Sequence, residues 1–184
     1  MVHVAVPHDP RPLIGEPRAL DLLNTEWNAE GRRHDLLQDL DGVRVWLAAN
    51  DIAEPATGPA RDHLLEARAA IRAMLTDPSD GDARSRVDQV LSHALLRLSL
   101  GTGSDVVREV QVDERAWLPA ALAGLDLLDL LQDRPERIRP CAHPDCILWF
   151  LDTSRNGTRR WCSMAACGNR AKAQRHYSRV RDAG

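Results

Sequence analysis

No stretch of this chain approaches the run of about 18 uncharged apolar residues that a membrane helix needs. The opening MVHVAVPHDPRPLIGEP has neither a basic leading segment nor an apolar run long enough for a secretion signal. These absences make the cytoplasm the expected location and leave no membrane partner. Also missing are a phosphate-binding glycine loop, a HExxH helix and a nucleophile elbow, and Gly101–Gly103 lacks the strand-to-helix context that such loops require. The protein is therefore not expected to be an enzyme. There is no internal repeat, no low-complexity tract, and no cysteine in residues 1–140.

What is present is unevenly spread. The chain has 24 Lys and Arg against 27 Asp and Glu, a formal charge of -3, but residues 134–181 hold 11 basic side chains against 3 acidic ones, a net of +8. Residues 1–133 hold 13 against 23, a net of -10. Such asymmetry marks two parts with different partners, the basic part being the candidate for a polyanion. A chain of 184 residues suits one domain, or a larger domain carrying a small module that could not bury a sufficient core alone.

Helical spacing of Leu20, Leu23 and Trp27 predicts a helix over Ala19–Ala29, and Leu40, Val43, Trp46 and Leu47 predict another over Gln38–Asp51. Pro59–Leu75 reads as a long helix that Thr76–Asp82 breaks before the next begins. Leu95–Leu100 and Val106–Val112 alternate around Gly101–Ser104 and predict a hairpin, and Ala116–Asp133 returns to helix. The expected fold is mainly α with a small β-hairpin. A leader (1–14) precedes a helical N-terminal domain (15–133), and a linker (134–140) leads to a C-terminal module (141–184). The two parts are expected to have separate cores.

The four cysteines, Cys141, Cys146, Cys162 and Cys167, are spaced C-x4-C, then fifteen residues, then C-x4-C. Two short loops can each offer two thiolates to one tetrahedral centre, and structural Zn²⁺ takes four-cysteine ligation readily while supplying folding energy that a small module lacks. Two disulfides or buried thiols are the bland alternatives, and His143, inside the first pair, is an alternative ligand. Between the pairs, Asn156-Gly157 predicts a hairpin with Arg155, Arg159 and Arg160 near its tip. The sequence after Cys167 reads as helix, completing a treble-clef-like module of loop, hairpin and helix. At 100° per residue Lys172, Arg175, His176 and Arg179 share one helical face. Arg170 falls elsewhere, where Asp152 is its expected partner.

Cys167-Gly168-Asn169-Arg170, preceded by Arg160-Trp161-Cys162-Ser163-Met164 and Asp152-Thr153-Ser154-Arg155-Asn156, resembles the CGNR zinc-finger family of bacterial proteins. Leu20-Asp21-Leu22-Leu23-Asn24-Thr25 and Val45-Trp46-Leu47 are similar to its N-terminal partner, the ABATE domain, with Leu22-Leu23 where an aromatic is usual. The resemblance runs from about residue 15 to 181. It implies a stress-responsive transcription regulator with a zinc-binding, DNA-binding C-terminus, and places the four cysteines at the family's metal positions.

The expected partner is thus duplex DNA, met by Lys172, Arg175, His176 and Arg179 with Arg155, Arg159 and Arg160 beside them. A protein-interaction adaptor without direct DNA contact is the competing reading. Arg18, Asp21, Asn24, Thr25 and Trp27 could line a pocket for a small-molecule effector; the alternative is that Asn24 and Thr25 cap or buttress neighbouring helices. The long apolar helix Ala116–Leu131 makes a homodimer a further expectation.

Overall fold

The computed structural model describes residues 8–172. Capping chemistry starts three of the helices that follow α1 (Arg18–Leu23). Asp39 accepts the Gly42 amide at 2.9 Å and opens α2 (Leu40–Ala49). Thr57 accepts the Ala60 amide at 3.2 Å ahead of α3 (Gly58–Thr76), with Pro59 in its first turn. Asp80 accepts the Asp82 amide at 2.9 Å and opens α4 (Gly81–Ser92). The last long helix is α5 (Leu118–Asp133), whose Ala120, Ala121, Ala123 and Leu127 are buried. The apolar face expected to serve self-association is thus largely spent inside the fold.

The helix expected over Ala19–Ala29 stops at Leu23. Thr25 turns its hydroxyl back to the Leu22 carbonyl at 2.7 Å, a local bond that competes with helix continuation. The chain then enters β1 (Glu26–Ala29), which pairs antiparallel with β2 (Arg32–Asp35). Glu30 and Gly31 between them both have positive φ, 52° and 71°, as the two-residue mirror-image turn requires. Trp27 therefore projects from a strand and stacks on His34 across the hairpin, ring centroids 5.3 Å apart. Arg68 of α3, itself buried, donates to Thr25 Oγ1 at 2.8 Å and to both Asp35 oxygens at 2.7 and 2.8 Å, while Arg72 reaches Glu26 at 2.9 Å. These bonds fasten the hairpin to α3. Burial pushes the Asp35 carboxyl up, but the hydrogen bonds and charge of Arg68 outweigh it and hold Asp35 below the usual carboxylate range.

α2 begins against the turn before it so closely that a Cβ added at Gly42 would lie 1.6 Å from the Leu36 carbonyl oxygen. Ala is the better helix former, yet Gly42→Ala is expected to lower stability by about 1–3 kcal/mol through overpacking. A thermal melt that rises instead would contradict this close approach.

The second hairpin is the expected one: β3 (Ala94–Leu100) pairs antiparallel with β4 (Val106–Val112), Leu98 opposite Arg108. Its base is clamped. Asp113 donates its amide to the His93 carbonyl at 3.2 Å, His93 Nδ1 lies 2.7 Å from Asp113 Oδ2, and Trp117 is stacked between His63 and His93 at 3.7 and 3.8 Å.

A third hairpin occupies what reads as linker. After a 3₁₀ turn at Pro135–Arg137, β5 (Ile138–Pro140) pairs antiparallel with β6 (Trp149–Leu151). Strands of three residues are too short for alternation to be visible, and the flanking prolines look like linker chemistry. β6 lies on α1. Asn24, fully buried, donates its Nδ2 to the Trp149 carbonyl and accepts the Trp149 amide at Oδ1, both at 2.9 Å, and Glu16 accepts the Leu151 amide at 2.9 Å. Leu148, Trp149, Phe150, Leu151 and the buried cysteines join Leu20, Leu23 and Leu127 in one hydrophobic cluster. The expectation of two separate cores is therefore corrected: the finger completes the core of the helical part. The leader is engaged too, since buried Arg11 pairs with Asp21 and with Asp9 at 2.7 Å each.

Candidate metal centre

Cys141 follows β5 directly, and its amide continues the ladder to the Leu148 carbonyl at 2.8 Å. The first cysteine pair thus sits in the turn of the β5–β6 hairpin. The Cys146 amide is held by the His143 carbonyl at 2.9 Å. Of the second pair, Cys162 precedes and Cys167 lies within a single π-helical turn, Met164–Gly168, which Ser163 caps by accepting the Ala166 amide at 3.4 Å. Gly168 is packed so tightly that an added Cβ would lie 2.7 Å from Met164 Sδ.

The four sulfurs lie within 4.8 Å of one another. Cys146 and Cys162 are 3.8 Å apart, Cys162 and Cys167 3.6 Å. A tetrahedral zinc with Zn–S of about 2.3 Å needs sulfur separations of roughly 3.8 Å, so the donor set fits the ion. Without an ion, Cys141, Cys146 and Cys162 compete for negative charge. Hydrogen bonds from Cys146 and Cys162 pull the Cys141 thiol down, and the same contacts with Cys141 push Cys146 and Cys162 up. A divalent cation lets all four act as thiolates. Outside the cluster, the Cys162 amide points at Cys141 Sγ at 3.4 Å and Arg170 donates to Cys167 Sγ at 3.2 Å. Such donors orient ligands and offset the excess negative charge of a four-thiolate site. The Cys167 hydrogen bond in turn raises the Arg170 pKa.

Several expected roles change here. His143 is buried but stands outside the sulfur cluster, its Nδ1 accepting the Asp145 amide at 3.3 Å. Arg170 does not pair with Asp152, because Asp152 is taken: it accepts from the Ser154 hydroxyl at 2.6 Å and amide at 2.9 Å and from the Arg159 amide at 3.0 Å. The Ser154 hydroxyl and these amides hold its carboxyl below the usual range. That carboxylate, rather than a hairpin, shapes the segment after β6; around Asn156-Gly157 there is a turn, with Gly157 at φ 62°.

Arg159, expected to grip phosphate, is instead spent within the finger. Its guanidinium donates to the carbonyls of Trp161 at 3.0 Å and Cys162, lies 3.7 Å from Glu16, and sits 4.3 Å above the Phe150 ring. Arg155, Arg160 and Lys172 are exposed, Arg160 resting over Trp161. Arg175, His176 and Arg179 lie outside the described residues.

The expected effector pocket is corrected as well. Asp21, Asn24 and Thr25 are buried and engaged by Arg11, Trp149 and Arg68. Arg18 reaches the Asn50 carbonyl at 3.3 Å, and Trp27 faces a different cleft with His34. Sequence reasoning misses Arg32 and Arg33 of β2, which share a cleft of about 560 Å³ with Asn28, Asp145 and Arg170. Their signal, an Arg-Arg pair after Glu-Gly, is masked by the helical spacing that runs up to Trp27.

Fold and site together define a helical protein that carries a four-cysteine zinc finger. Residues 137–180 match the CGNR zinc finger family, and residues 16–134 match the ABATE family, described as "Putative stress-induced transcription regulator". The second match spans well over half of the chain, which belongs to the ABATE family and ends in a CGNR zinc finger. Zinc is its structural cofactor. Neither match is to an enzyme family. No curated protein matches the chain closely. Among the described residues no helix is long and apolar enough to cross a membrane.

Proposed function

We propose that the protein is a transcription regulator that binds duplex DNA through its zinc finger. The observation that carries this reading is the imbalance of free charge on the finger: Arg155, Arg160 and Lys172 are exposed, while Asp152 is buried and saturated and Asp145 is the one exposed acid among the finger's described residues. Arg32, Arg33 and Arg170 border the adjoining cleft beside Glu30 and Asp145, with Arg33 paired to Glu26 at 2.8 Å. Lys172 opens the segment that continues to Arg175, His176 and Arg179, the residues best spaced to face a groove from a helix. Zinc is a stiffener here, since four thiolates leave it no open position for catalysis.

A titration of zinc-loaded protein against duplex DNA at several salt concentrations tests this. Replacing Arg155, Arg160 and Lys172 together by Ala should weaken binding to all sequences and reduce the slope of log K against log salt by about 0.9 for each phosphate that is no longer neutralised. Arg159→Ala should leave the slope alone and instead lower stability by about 1–3 kcal/mol, because it strands buried carbonyls. Unchanged affinity in the triple variant would favour the adaptor reading, in which the finger contacts protein.

A further inference from the structure

The β3–β4 hairpin is a two-stranded sheet with no third strand on either edge among the described residues. Register and alternation put Leu96, Leu98 and Leu100 of β3 on one face with Val106, Arg108 and Val110 of β4. The lower part of this face turns to the protein, with Val110 half-buried and Arg108 reaching Asp129 of α5 at 3.1 Å. Among the described residues nothing lies over the upper part: Leu98 is 60 %, Leu100 77 % and Val106 64 % exposed. An isolated hairpin is at best marginal in water, and an exposed apolar edge is a template for pairing. Yet this one is held rigidly at its root by the His93–Asp113 contact and the His63–Trp117–His93 stack.

We propose that β3 pairs antiparallel with β3 of a second copy, in a register centred on Leu98, to make a four-stranded sheet across a twofold axis. Charge and alternation select this occupant. Residues directly opposite in an antiparallel pair share a face, so a register that sets Leu98 against Leu98, and Leu96 against Leu100, keeps the apolar face continuous across both copies. It also sets Arg97 against Ser99, with no like charges opposed. Centring on Arg97 would oppose two guanidinium groups, and centring in the middle of β4, on Arg108 or Glu109, would oppose two like charges. The segment ALLRLSL is thus complementary to its own twofold image, as an isologous interface demands.

The test is the mass of the zinc-loaded full chain in solution, with amide exchange of β3 as a second reading. The expected result is twice the 20.5 kDa chain mass. Leu98→Lys should give the single-chain mass with unchanged zinc content and circular dichroism, and Leu98→Cys should yield an interchain disulfide between the two residues 98 under mild oxidation. Exchange of the β3 amides in the unsubstituted protein should slow as concentration rises. A single-chain mass for the unsubstituted protein, a dimer that survives Leu98→Lys, or β3 amides equally protected at every concentration would each overturn the proposal. The last counts against the proposal when the mass at the same concentrations is that of a single chain, since the chain would then cover its own strand.

Discussion

Removing the zinc, by chelation or by Cys167→Ser, should destabilise the whole chain and not the finger alone. Without the ion, two three-residue strands and a single π-helical turn cannot hold four thiols together, and zinc binding in small fingers is worth about 10–16 kcal/mol, comparable with the whole stability of a domain. When the finger opens, Phe150, Leu148 and Trp149 leave the cluster they share with α1, and fully buried Asn24 loses both partners. A loss of several kcal/mol translates, at roughly 2–4 °C per kcal/mol for a chain of this length, into a midpoint at least about 10 °C lower. Circular dichroism melts of zinc-loaded and chelated protein decide it. A helical transition that keeps its temperature while the finger unfolds would show that the shared cluster carries no coupling.

The second large effect is expected from a residue far from the metal in sequence. Asn24→Ala removes a side chain that satisfies both the amide and the carbonyl of Trp149 in a place water does not reach. Each stranded buried group costs about 1–3 kcal/mol, so the substitution should lower stability by about 2–6 kcal/mol. The zinc affinity of the folded protein should change little, because the sulfurs and their donors are untouched. Denaturant titrations followed by tryptophan fluorescence measure the loss. A change below about 0.5 kcal/mol would mean that the β6–α1 contact does not hold in solution.

Both predictions depend on an interface that local sequence could not show. Asn24 reads as a helix cap or buttress in preference to a pocket residue, and it does cap α1, but the partner of its side chain is 125 positions away. Arg159 looks like one more cation in a basic run until Phe150 and the carbonyls around it are in place. Trp27 reads as helical because its spacing from Leu20 and Leu23 suits a helical face, although Thr25 and the Glu30-Gly31 turn redirect the chain into a hairpin.

The sequence by itself determined the local and the chemical: the long capped helices, the β3–β4 hairpin, and the paired cysteines whose donor type and spacing point to zinc. Those properties depend on neighbours within a few residues, or on four side chains of one donor type in paired spacing. Only the tertiary structure decided which polar groups were already spent, that the finger and the helices share one core, and that the described residues leave the apolar hairpin tip uncovered. Burial and hydrogen-bond satisfaction depend on which side chains the fold brings together, some of them more than a hundred positions apart, as Asn24 and Trp149 are, and no local pattern records that.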